Sequence, residues 1–178
     1  NYLMKNLIEE IFFKTIFKIL NMKKLLIIII LIFSTQLVQS QECNLNPERG
    51  SKNYIIGYGS LMDKESRIRT NKSAFVVKPI LIKGFERTWG LHGGMYKITF
   101  LTIIKKKNSA VNAVYYPVSI KDLNKTDKRE SGYCRIKVEG KDLSFYGKKI
   151  KTENKNFWVY AANPGKIKKP SNSHPIVQ

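Results

Sequence analysis

From residue 53 onward the chain consists of short apolar runs cut by glycine, proline and polar clusters. Residues 53–58 form a brief apolar run ending in Gly57-Tyr58-Gly59-Ser60, the pattern of a strand that enters a tight loop. The polar stretch 63–69 suits a helical turn. Residues 74–83 carry Phe75, Val76, Val77, Ile80, Leu81 and Ile82, with Pro79 between them. Proline cannot donate to a central ladder, so this run predicts a strand with a bend or bulge. An aromatic extended stretch follows over 85–91 and ends at a Gly93-Gly94 turn.

Residues 96–104 and 111–117 are β-rich and flank a polar segment, which predicts a hairpin with a loop over 105–110. Ser119 followed three residues later by Asp122 reads as a helix N-cap, with the helix running to about Glu130 and ending at Gly132. Residues 133–138 and 157–160 read as strands, 140–149 as a turn-rich hairpin, and Asn163-Pro164-Gly165 opens a polar loop. No internal repeat is visible. Seven short strands and one or two helices, without a βαβ rhythm, predict an α+β domain on a compact mixed or antiparallel barrel-like sheet.

The segment before residue 53 has a different character. A conventional start lies at Met22, followed by Lys23-Lys24, an apolar run over 25–33, and a polar exit with Val38 and Ser40 at the −3 and −1 positions of a cleavage site. That is the three-part layout of a secretory signal peptide, and it predicts export to a periplasm or the exterior. Membrane anchoring through residues 25–33 is the alternative. The division expected is therefore 1–21 upstream of the true start, 22–40 signal peptide, 41–52 leader and 53–178 folded domain. The chain opens on Asn1 and stops at Gln178 just after Ile176-Val177, so both ends read as cut or mis-set.

Charge changes this picture little. The whole chain carries a formal +19, and residues 41–178 keep 27 basic and 11 acidic side chains, a net +16. Such a balance invites nucleic acid or an anionic surface as partner. The lysines are scattered, however, and Lys105-Lys106-Lys107 stands alone as a run, beside an expected turn. No nucleic-acid partner is expected, and contact with a membrane would come only through an uncleaved leader. Of the two cysteines, Cys43 falls in the leader and Cys134 in an expected strand, which predicts a free, buried Cys134. The two histidines, His92 and His174, form no cluster with metal-ligand spacing.

Two segments can carry chemistry. In the first, Ile55-Ile56-Gly57-Tyr58-Gly59-Ser60-Leu61-Met62, glycines around a tyrosine at a strand end allow a sharp turn that exposes successive N–H groups to an anion. It lacks the third glycine of a dinucleotide fingerprint and the flanking glycines of a nucleophile elbow. In the second, Asp127-Lys128-Arg129-Glu130-Ser131-Gly132-Tyr133, an acid at a helix end stands among basic residues. Each alone has a bland structural reading: glycine-lined turns and solvated helix-end acids are common.

In this order and about seventy residues apart, Tyr-Gly-Ser-Leu and Asp-Lys-Arg-Glu-Ser-Gly-Tyr-Cys-Arg resemble the two signature segments of the gamma-glutamylcyclotransferase-like superfamily. That group includes AIG2-like and gamma-glutamylamine cyclotransferase proteins. Ile82-Lys83-Gly84-Phe85 and Ser173-His174-Pro175-Ile176-Val177-Gln178 are similar to further parts of it, so the resemblance spans essentially residues 53–178. It implies a mixed barrel with packed helices, a substrate loop at Tyr58, Gly59, Ser60 and Leu61, and a general acid/base at Glu130. It also implies a small γ-glutamyl substrate, no metal or cofactor, and release of 5-oxoproline with an amine or amino acid. Family members continue past the point matching Gln178 with a helix that closes one side of the pocket, so truncation there is expected. Three alternatives stay open: a hydrolase with Ser60 as nucleophile and His92 or His174 as base, a binding module without turnover, and a basic surface-binding protein.

Overall fold

The computed structural model describes residues 43–147 and 150–177, together with Lys14, residues 17–19 and Met22. Residues 1–40 and 41–178 form separate compact units. In the first unit the described residues are helical; the expected signal peptide, Met22 apart, lies outside the described residues. No helix among the described residues is long and apolar enough to cross a membrane.

The second unit is built on six strands in the order β4-β6-β1-β3-β2-β5. In chain order they are β1 (Lys52–Gly57), β2 (Lys78–Gly93), β3 (Ile98–Val118), β4 (Cys134–Lys137), β5 (Leu143–Phe145) and β6 (Lys155–Ala161). Two helices accompany them, α1 (Lys64–Ile68) and α2 (Ile120–Arg129). β1 runs parallel to β6, and every other pairing is antiparallel. The sheet is mixed and curls into a half-barrel, as the apolar patterning predicted.

Neighbouring side chains along the central strands point to opposite faces. Ile56, Tyr115, Phe157 and Val159 join an inner core to which all six strands contribute, including Ile80, Ile136 and Leu143. Ile55, Tyr116, Trp158 and Tyr160 face the other way and pack with Leu123 of α2. Both faces of β1 and β6 are thus covered, which explains why their sequences read as unbroken apolar runs rather than alternations. Ser119 caps α2 as expected, accepting from the Asp122 N–H at 3.1 Å while its hydroxyl donates to the Asp122 carboxylate at 2.9 Å.

Two expectations fail on the sheet. Residues 78–83 of the first run and all of 85–91 belong to one strand, β2, while 74–77 precede it; residues 98–104 and the run 111–117 belong to another, β3. No hairpin forms over 105–110. The chain makes an excursion there instead: Phe85 pairs with Lys105 and Lys83 with Ala110, so Gly84 alone stands opposite residues 106–109. Gly84 and Asn108 absorb this bulge in left-handed conformations, φ 78° and 62°. Polarity marked the right place, but a bulge that lets the strand continue and a turn that reverses it share the same polar signal.

The second correction concerns cysteine. Cys43 and Cys134 form a disulfide with Cα atoms 5.0 Å apart. The leader does not hang free: the Asn44 N–H donates to the Arg135 carbonyl at 2.8 Å, and the Asn44 side chain accepts from the Arg135 N–H at 3.1 Å. Lys137 pairs with Glu48 at 2.7 Å. This pairing lays the leader along the edge of β4 and brings the sulfurs together.

Candidate active site

The site forms where the parallel strands β1 and β6 end. β2 and β3 are much longer, so past the β1–β3 register, which closes at Gly57 opposite Val114, they continue as a two-stranded arm overhanging that edge. The chain leaves β1 through Gly57, where a Cβ would come within 2.8 Å of Leu61 backbone and side-chain atoms. Only glycine admits the turn that follows, a 3-10 turn over Ser60–Met62.

Arginines hold that loop by its carbonyls. Arg87 Nε donates to the Tyr58 carbonyl at 3.0 Å. The buried Arg67 donates to the carbonyls of Leu61 at 3.4 Å and Met62, and its Nε reaches Ala74 O at 3.1 Å. With the carbonyls engaged, the Ser60 and Leu61 N–H groups head the 3-10 turn, where no carbonyl of the same turn accepts them. None of these arginines stood out in the sequence, because a buried guanidinium and a solvated one read alike.

Glu130 arrives from the other side as the C-cap of α2, with its N–H donated to Thr126 O at 2.8 Å and its carbonyl accepting the Tyr133 N–H at 2.8 Å. Its side chain is only 13% exposed and meets Arg129 Nε at 3.1 Å. Burial raises its pKa above the ordinary carboxylate value, and the Arg129 charge only partly offsets that. The same guanidinium donates to the Ser60 hydroxyl at 3.4 Å and to the Ser66 hydroxyl at 2.6 Å. Arg129 therefore touches loop, helix α1 and carboxylate at once. The sequence showed it only as one basic residue beside an acid.

Two adjoining clefts result. The first, about 320 Å³, is lined by Tyr58, Gly59, Ser60, Leu61 and Glu130 together with Trp89, Phe100, Leu101, Tyr133 and Tyr160. All five residues singled out in the sequence thus face one cavity. The second, about 400 Å³, shares Ser60, Phe100, Glu130 and Tyr133 and extends under the arm to His92 and Tyr96. The phenols are fixed in place: Tyr58 donates to Tyr160 O at 2.6 Å, Tyr133 to Leu101 O at 2.8 Å and Tyr160 to Asp127 Oδ1 at 2.7 Å. Burial foremost raises the pKa of each, so they stay protonated and act as neutral donors and walls.

For the hydrolase alternative, His92 and Ser60 line the same second cleft, but neither is hydrogen-bonded to the other. His92 Nε2 lies 2.9 Å from Lys169 O, and its ring stacks on His174 at 4.3 Å. The partner seen for the Ser60 hydroxyl is Arg129, a cation that accepts no proton. Among the described residues no three His, Cys, Asp or Glu side chains converge as metal ligands.

A family model described as Gamma-glutamyl cyclotransferase, AIG2-like, matches residues 55–177. A solved structure named Gamma-glutamyl cyclotransferase superposes with a TM-score of 0.53 at 20% identity, covering 66% of this chain and 69% of that one. A human structure, named as uncharacterized protein loc79017, superposes at 0.51 and 21% identity, covering 63% of this chain and 67% of that one. At such identities these two speak for the fold. No curated protein matches the chain by sequence.

Proposed function

The chain belongs to the gamma-glutamyl cyclotransferase, AIG2-like family, and we propose on that premise that it cyclises γ-glutamyl amides, releasing 5-oxoproline and an amine or amino acid. The observation that carries the reading is Arg129, whose guanidinium touches both the Ser60 hydroxyl and the Glu130 carboxylate. Loop and acid are thereby held within the span of one small substrate.

The substrate brings its own nucleophile. Its α-amine closes a five-membered ring onto the γ-carbonyl carbon, so the protein has mainly to hold the folded conformer. The α-carboxylate and the developing oxyanion are suited to the Ser60 and Leu61 N–H groups, in a loop backed by Arg67 and Arg87. A new C–N bond forms, the amide C–N bond breaks, and one proton passes from the attacking nitrogen to the leaving one. Glu130 sits where it can take that proton and return it. A carboxyl raised by burial serves both halves better than one at its ordinary value, since the gap to the amines narrows. The reading calls on neither metal nor cofactor.

Export is part of the proposal. It rests on the signal-like segment 22–40 and is supported by the Cys43–Cys134 bridge, which persists in oxidising compartments.

The test is direct. Purified protein is incubated with γ-glutamyl dipeptides, glutathione and γ-glutamyl-lysine, and 5-oxoproline is measured. Release should fall by about 10²- to 10⁴-fold in Glu130→Gln. Absence of 5-oxoproline from every substrate, with ligand binding retained, would replace the enzyme by a binding module.

A further inference from the structure

Two segments remote in the chain meet at the free end of the arm. The turn between β2 and β3 is closed by the Lys97 N–H, which donates to Gly93 O at 2.9 Å. The C-terminal segment lies along the same arm: the Lys168 N–H donates to Gly90 O at 2.9 Å, and Lys169 O lies 2.9 Å from His92 Nε2. Gly90 makes room for it, since a Cβ there would come within 3.0 Å of Ile167 Cγ2. Further on, Thr99 donates from its N–H to Pro175 O at 2.9 Å and from its hydroxyl to His174 O at 2.6 Å. These bonds bring Ile176 and Val177 to the strand that leaves the Met95-Tyr96 turn.

What gathers there is apolar and exposed: Met95 at 88%, Tyr96 at 70%, Val177 at 61% and Ile176 at 38%. Lysines accompany it on both segments. Lys97, Lys166, Lys168 and Lys169 are exposed, and none is paired with an acid among the described residues. Neither residues 87–121 nor residues 155–178 contain an Asp or Glu. Glu130, which lines the second cleft with Met95 and Tyr96, is already held by Arg129. The arm therefore ends in an apolar tip among cations, with no acid of its own.

We propose that the arm tip docks on an anionic lipid bilayer, with Met95, Tyr96, Ile176 and Val177 entering the headgroup boundary and the lysines meeting lipid phosphates. Apolar side chains with a tyrosine among them suit the layer between headgroups and acyl chains. Each lysine held near an anionic surface adds attraction. Nucleic acid would engage the lysines as well, but its phosphates give Met95, Ile176 and Val177 nothing to bury against, and none of the three can stack on a base. A second copy of the chain would bring two cationic tips together. Docking requires neither the cyclising reading nor the apolar segment 25–33. It turns the second cleft, lined by Met95 and Tyr96, toward the bilayer.

Co-sedimentation with vesicles tests this on the full chain and on residues 41–178, a separate compact unit that holds both cores and the bridge and lacks the apolar run 25–33. The vesicles are phosphatidylcholine alone, or phosphatidylcholine with about one third phosphatidylglycerol. The 41–178 unit should bind the anionic vesicles at least about tenfold more tightly than the neutral ones, with a margin that narrows as salt rises. Lys168→Gln with Lys169→Gln should weaken that binding about fivefold per lysine. Met95→Ser with Tyr96→Ser, at exposed positions that leave the core intact, should weaken it about tenfold. In Tyr96→Trp, brominated acyl chains should quench the added tryptophan beyond what the wild-type protein shows. Equal binding to both vesicles overturns the proposal, as does binding that Met95→Ser with Tyr96→Ser leaves unmoved. Tighter binding to a short DNA duplex than to the anionic vesicles assigns the face to nucleic acid and overturns it likewise. Binding by the full chain alone, and not by residues 41–178, returns membrane contact to the leader and also overturns it.

Discussion

The two walls that enclose the clefts are made in opposite ways. The wall carrying Glu130 is locked from behind. Asp127 Oδ1 accepts from the Tyr160 hydroxyl at 2.7 Å and from Arg135 Nε at 2.8 Å, and Arg135 lies 4.5 Å over the Trp158 ring. The adjacent residue, Cys134, is bonded to Cys43. The arm wall has no such lock at its tip. The C-terminal segment is strapped across the arm by backbone bonds, Lys168 N–H to Gly90 O and Thr99 N–H to Pro175 O, each 2.9 Å, while Met95 and Tyr96 stand in solvent. A proton-transfer group tolerates little displacement, so it sits on over-determined structure. A wall whose tip stands in solvent can yield locally without unfolding the sheet. Variants that strike each wall test whether this division of labour is real.

The bridge should have the largest effect on stability. Cys43 and Cys134 are 91 residues apart, and closing so long a loop restricts the unfolded chain by up to about 4–5 kcal/mol on the chain-entropy account. Cys43→Ser should lower stability by about 2–4 kcal/mol in denaturant titration, with arm-wall variants unaffected by its presence. A loss too small to measure would show that the leader's hydrogen bonds, not the bridge, secure that wall.

Asp127→Ala comes next. It strips the buried Arg135 of its carboxylate, and Arg135 Nη1 is already buried without a partner. An uncompensated guanidinium there should cost about 3 kcal/mol. Because Tyr160 also loses its acceptor, the variant should release Glu130 from its frame and depress turnover more than its stability loss explains at temperatures well below its Tm. Turnover that simply follows the folded fraction would mean that the network is structural alone.

What the sequence displayed and what it hid divide along these same walls. The β1 exit, the Ser119 cap and the helix ending at Glu130 were legible because each is local: glycine at a close approach, a hydroxyl three residues before an acid, an acid at a helix end. The match over residues 55–177 agrees with the resemblance that those local signals carried. The bridge was hidden because its cause is remote: Asn44 finds Arg135 only after β4 has formed. The length of β2 and β3 was hidden because the bulge at Gly84 and residues 106–109 looks polar, like a turn. The arginine braces at 67 and 87 were hidden because they hold backbone carbonyls, which every residue has, and Arg129 because the serines it reaches, Ser60 and Ser66, are remote in the chain.

Glu130 itself provides a smaller, signed effect. Its pKa is raised in the folded protein by burial. The native state then holds the proton more tightly than the unfolded chain does, so the stabilisation this gives is fully present below the unfolded pKa, about 4.3. It is lost as pH rises through the folded pKa, above which the ionised carboxylate is a standing cost. Glu130→Gln removes the titration. Its Tm should exceed that of wild type near pH 8, and the gap should shrink steadily on acidification toward about pH 4. A gap that instead widens on acidification would mean that Arg129 pairing outweighs burial and would reverse the assigned shift. A stabilised but inactive variant would mark Glu130 as a group the fold tolerates for its chemistry.

The smallest effect should come from the arm tip. Met95→Ser alters a side chain that is 88% exposed, so its stability should stay within about 0.5 kcal/mol of wild type. The comparison is sharpest when the same change is made in the Asp127→Ala background. If the two walls act independently, the double variant should lose the sum of the single losses to within about 0.5 kcal/mol. A larger deviation would show that the arm leans on the Asp127–Tyr160 network, with Tyr133 the natural route: it lines both clefts, and its hydroxyl donates to Leu101 of β3 at 2.8 Å. Coupling through that bond should vanish in Tyr133→Phe, which keeps the ring and removes the donor.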